Sequence, residues 1–425
     1  MSQETKDNRS KEEISPISNI TDYSGIQATV DQRKDEISNA SKGDHFKMNV
    51  AVVTADGVVT DKTFNQSSWE AAQQIARIGG FKAVPVNSPS ANLNETYNNL
   101  INSDNNIWIL SGFQHGDKFQ QWLKNDQNKQ NFINKGIIVI GIDWNLPDGV
   151  APKGQFISVN YNVEESAWIM GYAAADFLSK KFPNDPTKRT ATTFGGGTFN
   201  AVTDFIAGYL AGIKAFNDGH HGEETKITSP SISLDTGFGV DPGSTQKIKA
   251  ILSNGNPTIT FPVAGPQTGV VSDEIKTDAD RYVIGVDTNQ SLVFEKQKTK
   301  FFSSVEKRIG FSVFNILADI FTKKQTYLND FQFKTKNTTV KLGYYKGFVG
   351  LSATTLEGDD KAKSEGDDKA KANEAIQEAS AEFKKLVSPT DPSPRTTLKI
   401  VDTSDQSKIQ AKLDSLVAKI NNKTA

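Results

Sequence analysis

Between Met48 and about Val305, short apolar runs alternate with stretches of helical periodicity, and this alternation constrains the fold more than any other feature. The runs are Met48–Thr54, Phe81–Val86, Ile107–Ser111, Gly136–Ile142, Phe156–Val159, Thr190–Phe194, Ile227–Ser233, Thr258–Val263, Tyr282–Val286 and Lys300–Val305. Helical patterns fall between most of them, notably Asn65–Ile78, Val163–Lys180, Phe199–Asn217, Ser244–Ser253 and Lys307–Thr322. Strand–helix–strand repetition predicts βαβ units and mainly parallel sheets. Several runs are apolar throughout, as expected where helices cover both faces of a sheet. So many strands exceed one ordinary doubly wound sheet, and two lobes are the economical reading.

A duplicated segment supports two lobes. Val139–Asn145 reads VIGIDWN and Val283–Asn289 reads VIGVDTN, 144 positions later (283 − 139). That offset is about the size of one α/β lobe. Each copy is a strand ending in Gly-apolar-Asp, so Asp143 and Asp287 are expected at strand C-termini, the edge where open α/β sheets take ligands.

The loop after the first run carries the densest candidate chemistry. Asp61–Glu70 (DKTFNQSSWE) follows Met48–Thr54 and leads into an amphipathic helix with Trp69, Ala72, Ile75 and Ala76 on one face. Asp61, Phe64 and Asn65 supply an acid, a ring and an amide, a set that suits a flat polar ligand with hydroxyls. The competing reading is structural: Asp61 capping the helix, with Phe64 as its hydrophobic staple. Phe194–Asn200 (FGGGTFN) is a glycine-rich turn opening a helix that contains Phe205. It lacks the Gly-Lys-Ser/Thr of a P-loop and the spacing of a dinucleotide fingerprint, so a tight turn is favoured. Phe261–Val270 (FPVAGPQTGV) puts Gly265 where backbone can approach a ligand, and Phe302–Arg308 ends a strand with Lys307. Gly171, Gly208 and Gly212 lie inside helical patterns, where glycine costs about 1 kcal/mol against alanine; close helix–sheet packing is the expected compensation.

Composition excludes several classes. The chain has 425 residues with a formal charge of −2, so no overall basic field points to nucleic acid. It has no cysteine, which removes disulfides and thiolate chemistry. Its four histidines show no metal-binding spacing, and His220–His221 sits between glycines as in a surface turn. No apolar run is long enough to span a bilayer, and polar residues follow Met1 with no signal-peptide pattern.

The ends read differently from the middle. Residues 1–46 are polar and are expected to form a flexible leader, with a weak helical pattern near Ile26–Ile37. Val340–Tyr345 and Phe348–Leu351 suggest a strand–turn–strand closing the fold. The motif EGDDKAK at Glu357–Lys363 recurs at Glu365–Lys371, a charge-balanced low-complexity segment expected at the surface (352–372). Its acids lack the ligand ladder of an EF-hand. The tail, 373–425, carries helical patterns at Asn373–Leu386 and Ser404–Asn421 around a proline-rich break.

Together the segments from Met48 to Leu351 resemble the basic membrane protein family of bacterial substrate-binding lipoproteins, the purine nucleoside receptors of ABC transporters. DKTFNQ at Asp61–Gln66, VIGID at Val139–Asp143, VAGPQTG at Val263–Gly269, VIGVDTNQ at Val283–Gln290 and SSVEK at Ser303–Lys307 are similar to the family's motifs, in the same order. There are departures. Asn289 replaces a second acid, Thr60 stands where the family has acids before DKSFN, and Trp144 is bulky for its position.

The resemblance implies a type I periplasmic-binding-protein fold. Two doubly wound α/β lobes would hold ligand in a cleft, lobe 1 about 47–160 plus 291–325 and lobe 2 about 161–290 plus 326–351. It implies that Phe64 and Phe205 sandwich a base and that Asn65 and Asp143 hydrogen-bond its edge. Asp287, Lys307 and the Gly265 backbone would hold ribose hydroxyls. Asp61 and Trp144 join them as ligand-site candidates. It implies a nucleoside ligand, an ABC permease partner, no cofactor, and a place on the outer face of the cell membrane. There a lipidated cysteine would stand where this chain has Met1, with residues 1–46 as tether. The alternatives are a sugar-binding protein of the same fold, a surface adhesin that has lost transport, and a nucleoside hydrolase.

Overall fold

The computed structural model describes residues 23–358 and 367–422. By its internal contacts the chain divides into two units, 1–160 with 308–341 and 161–307 with 342–425, so the backbone passes between them three times.

In chain order the elements are α1 (Gln27–Ser41), β1 (Val50–Val53), α2 (Phe64–Gly79), β2 (Ala83–Val86), α3 (Leu93–Ile101), β3 (Ile107–Ser111), α4 (His115–Leu123), α5 (Asp126–Asn134), β4 (Ile138–Ile142) and β5 (Phe156–Tyr161). Then come α6 (Val163–Lys181), β6 (Thr190–Gly195), α7 (Asn200–Gly219), β7 (Lys226–Ile227), α8 (Pro242–Ser253), β8 (Ile259–Val263), α9 (Gln267–Glu274), β9 (Tyr282–Asp287) and β10 (Phe301–Lys307). The chain closes with α10 (Ile309–Thr322), β11 (Thr338–Leu342), β12 (Val349–Leu351), α11 (Asp368–Leu386), α12 (Pro394–Thr397) and α13 (Ile409–Ile420).

The first unit holds a six-stranded sheet in the order β11-β5-β4-β3-β1-β2, and the second holds β12-β10-β9-β8-β6-β7. Strand for strand, the two orders are the same. β1 pairs in parallel with both β2 and β3, and β6 with both β7 and β8. In such a sheet the connections diverge between β1 and β3, and between β6 and β8, and ligands bind beyond the strand ends at that switch point. The central strands β1, β3 and β4 are buried at every residue, which explains their unbroken apolar sequences.

Several expectations are corrected. Segment 291–307, expected in the first lobe, belongs to the second unit because β10 pairs in parallel with β9. Segment 326–341, expected in the second lobe, lies in the first, where β11 joins β5. The strand–turn–strand at Val340–Leu351 is not a hairpin: β11 and β12 belong to different sheets, β12 running antiparallel to β10. β7 covers only Lys226–Ile227, not Ile227–Ser233.

The expected leader is structured from Tyr23 onward, and residues 1–22 lie outside the described residues. Val30 and Ile37 of α1 are buried, and Arg33 bonds the fully buried Asp319 of α10 at 2.7 Å. The tail also packs on its unit. Phe383 of α11 meets Trp168 and Tyr344, with ring centroids 6.3 and 5.0 Å away. Arg395 bonds Asp204 of α7 at 3.0 Å. The Asn421 amide bonds both the N–H and the C=O of Ile227, which satisfies the open edge of β7. Of the EGDDKAK repeat, residues 359–366 lie outside the described residues. The second copy opens α11 instead of looping into solvent: Asp367 caps it, accepting from the Ala370 N–H at 2.7 Å, and Asp368 bonds the Tyr282 hydroxyl at 2.6 Å.

The helical glycines serve helix–helix rather than helix–sheet contact. A Cβ at Gly171 would come 2.0 Å from the Tyr209 carbonyl oxygen, and one at Gly212 would come 2.0 Å from that of Trp168. α6 and α7 therefore cross backbone to backbone.

Candidate functional site

In the first unit the switch-point edge is built by the turn entering α2. The Asp61 carboxylate accepts from the backbone N–H groups of Thr63 (2.9 Å), Asn65 (3.0 Å) and Gln66 (3.0 Å), and from the Asn65 amide (3.0 Å). These are the unpaired donors of a helix start, where an acid also complements the helix dipole. The capping reading of Asp61 therefore holds. The acid organises the turn and has its carboxylate turned to the helix.

That cap fixes the Asn65 side chain. A carboxylate only accepts, so the amide nitrogen faces Asp61 and Oδ1 points away. Asn65 is 8% exposed, and its Oδ1 is buried with no hydrogen-bond partner. A buried acceptor left unmatched costs about 1–3 kcal/mol. Gly57 makes room for this amide, because a Cβ there would lie 2.7 Å from Nδ2. Phe64 is half-buried beside Gly112, at the end of β3.

Asp143 follows β4 in a left-handed conformation, φ +69°, with its N–H bonded to the Val159 carbonyl at 3.0 Å. Trp144 turns the other way, into the core. It is buried, its indole N–H donates to the Leu110 carbonyl at 3.0 Å, and its ring fills the space over Gly141. Its bulk is accommodated by the missing side chain at Gly141.

Below Trp144 lies His115, fully buried. Val53 presents only a carbonyl, so Nε2 carries the proton (3.2 Å) and Nδ1 accepts from the Tyr97 hydroxyl at 2.7 Å. Burial holds this imidazole neutral, its pKa pushed down to about 3.

In the second unit three candidates assemble. Asp287 ends β9, also at φ +69°. Lys307 ends the adjacent β10, with its Nζ 4.0 Å from Asp287 Oδ1; the two side chains are 3% and 18% exposed. The same ammonium stands 5.1 Å from the Phe205 ring centroid and 5.9 Å from that of Tyr161. Aromatic faces attract a cation, so Lys307 is held by a carboxylate and two rings. Phe205 is buried and meets Phe261 edge to face.

Gly265 joins the group through a residue that sequence reasoning left without a role. Gln290 is fully buried, accepts from the Val286 N–H at 2.8 Å and donates to the Gly265 carbonyl at 3.1 Å. It ties the β9 end to the β8 loop. Its signal was present in VIGVDTNQ, three residues after Asp287. Gly265 has φ +47° and open space where a Cβ would be. Also unassigned were Phe199 and Phe238, exposed rings 6.3 Å apart over the glycine-rich turn.

The chemistry these groups can perform is recognition. Each sheet edge offers charged or amide hydrogen-bonding groups beside aromatic rings. No helix among the described residues is long and apolar enough to cross a membrane, and among them no group of three or more His, Cys, Asp or Glu could hold a metal ion.

Residues 48–384 match the sequence profile of the Bmp family, described as ABC transporter substrate-binding protein PnrA-like. The chain belongs to this family. Relatives within reach of sequence comparison include Basic membrane protein B of Borreliella burgdorferi, 27% identical over 77% of this chain and 86% of that protein. The ABC transporter nucleoside-binding protein BmpA of Lactococcus lactis is 26% identical over 63% and 71%. A CD4+ T-cell-stimulating antigen of Listeria innocua is 25% identical over 57% of this chain, and the match spans only 63% of that protein. Among solved structures, an ABC transporter solute-binding protein from Aeropyrum pernix aligns over 88% of this chain and 90% of its own, with a TM-score of 0.56 at 19% identity. The fold is that of type I periplasmic solute-binding proteins, two α/β lobes, as the Bmp motifs implied.

Proposed function

We propose that this Bmp-family chain captures a nucleoside, a purine nucleoside by preference, and hands it to an ABC permease. The observation that carries the reading is the Asp287–Lys307 pair, charged and largely buried at the ligand edge of its sheet. Such a pair gives strong directed hydrogen bonds to vicinal hydroxyls, as on ribose. The unmatched Asn65 Oδ1 suits a donor on a base edge, with Asp143 beside it in role. Phe64 and Phe205 are the proposed stacking rings, where each base–ring contact contributes about 1–3 kcal/mol. Gly265, held by Gln290, is the proposed backbone contact to the sugar. The name of the Lactococcus relative supports the same ligand class.

The role is binding without catalysis, with lobe closure as the signal to the permease. A lipid anchor ahead of Tyr23 on the outer membrane face completes the proposal, and metabolic labelling with a fatty acid in the native host tests it. Calorimetric titration of the purified chain tests the ligand. Guanosine, adenosine or inosine should bind with Asp287→Ala weakening affinity at least 100-fold, whereas tighter binding of free hexoses or pentoses would replace the nucleoside reading.

A further inference from the structure

Segment 23–46 precedes the family match and is nevertheless built into the first unit. Its start reaches the turn that carries Asp61. Glu70, buried on the second turn of α2, accepts from the Tyr23 N–H (3.3 Å), the Ser24 N–H (3.1 Å) and the Ser24 hydroxyl (2.6 Å). Its Oε1 also accepts from Gln66 Nε2 at 3.2 Å. Gln66 Oε1 in turn accepts from the Lys62 N–H at 2.8 Å.

The direction of every bond is fixed. A backbone N–H only donates and a carboxylate only accepts, so the Gln66 amide has one possible orientation. The end of this chain is a strained residue: Lys62 has φ +60°, a conformation that a residue with a side chain keeps only where its surroundings impose it. The Lys62 ammonium also lies 5.8 Å from the Tyr23 ring centroid. On the far side, a Cβ at Gly310 would come within 2.5 Å of Ser24 Cβ, so α10 leaves a slot for this segment.

We propose that Ser24 is a positioning residue of the ligand site, acting through Glu70 and Gln66 to hold the Lys62 turn and so set Asp61, Phe64 and Asn65. The Tyr23–Ser24 end of the segment is then part of the binding machinery and not only a tether. Without the Ser24 hydroxyl, Glu70 loses a donor that fixes it, Gln66 loses a fixed acceptor, and the turn relaxes from its strained form.

The inference rests on the nucleoside reading only for its affinity readout, so the test has a second arm without ligand. The full chain is compared with Ser24→Ala, Ser24→Thr and Arg33→Ala by amide hydrogen exchange across residues 60–67, by thermal midpoint and by guanosine and inosine titration. Ser24→Ala is expected to speed exchange at Lys62 and Thr63 about tenfold and to weaken binding at least fivefold, with Ser24→Thr restoring both. Arg33→Ala, which loosens α1 elsewhere, should lower the midpoint and change neither. Unchanged exchange at Lys62 in Ser24→Ala, or faster exchange with unchanged affinity, would overturn the proposal. If the parent chain binds no nucleoside, the exchange arm still decides whether Ser24 holds the turn, while the ligand assignment alone fails.

Discussion

Asp143 and Asp287 share one backbone conformation, φ +69°, at the ends of the corresponding strands β4 and β9. Asp and Asn are the side chains that best tolerate the left-handed region, because their short polar groups bond locally. The conformation turns the chain sharply off the sheet edge and leaves the carboxylate there. The repeat VIGID/VIGVD thus repeats a backbone turn as well as a residue.

This separates backbone from chemistry at Asp287. Asp287→Gly keeps the turn at no steric cost but leaves the buried Lys307 ammonium without its carboxylate, so it should lose about 3 kcal/mol of stability from the broken pair while nucleoside affinity falls at least 100-fold. Asp287→Val should lose affinity too, and about 1–2 kcal/mol more stability than Asp287→Gly, since a β-branched residue is strained at positive φ. Denaturant titration paired with calorimetry distinguishes the two effects.

His115 makes the fold acid-sensitive. It is neutral when folded, with a pKa near 3, and ordinary when unfolded, near 6.5. Its contribution is therefore intact above about pH 6.5 and is lost as pH falls toward 3, at about 1.4 kcal/mol per pH unit. His115→Gln, which cannot take up that proton, should flatten the pH dependence of the urea midpoint between pH 6.5 and 4. Parallel slopes in the two proteins would refute the assignment.

The α6–α7 crossing should tolerate no added methyl. Gly171→Ala and Gly212→Ala each place a Cβ 2.0 Å from a backbone oxygen of the facing helix, so the helices must separate. Each is expected to cost about 3 kcal/mol or more, read as a lowered urea midpoint of the second unit.

Arg33→Ala leaves Asp319 buried without its guanidinium, although the carboxylate keeps the Tyr327 N–H at 2.6 Å. Breaking a buried pair from one side costs about 3 kcal/mol. Asp319→Asn combined with Arg33→Met should recover part of that loss, measured by thermal unfolding.

Most of the two sheets could be read in advance because parallel, doubly covered strands are continuous apolar runs, as in β3 and β4. What escaped was decided by contacts distant in sequence. Ile227–Ser233 has strand composition, yet after Ile227 the tail takes over its polar groups: Asp414 accepts from the Ile232 N–H at 3.0 Å and Asn421 bonds Ile227. α1 is mostly polar and owes its place to Arg33 and to two buried side chains, so its helical pattern in the sequence is weak. At the site, residue types alone could not separate an Asp61 that caps a helix from one that binds ligand, since a carboxylate serves both. Trp144 looked available because nothing in the sequence says that Gly141 clears a space beneath it.

The measurement that bears most directly on the central claim is a thermal-shift comparison of parent chain and Asp287→Gly against guanosine, adenosine, inosine, free bases, ribose and hexoses. A ligand of the folded state at a thousandfold excess over its Kd adds about 4 kcal/mol of stability. A nucleoside receptor should show a large rise with a purine nucleoside, little with base or ribose alone, and none in Asp287→Gly. A rise with a free hexose, or a nucleoside shift that survives Asp287→Gly, would contradict it.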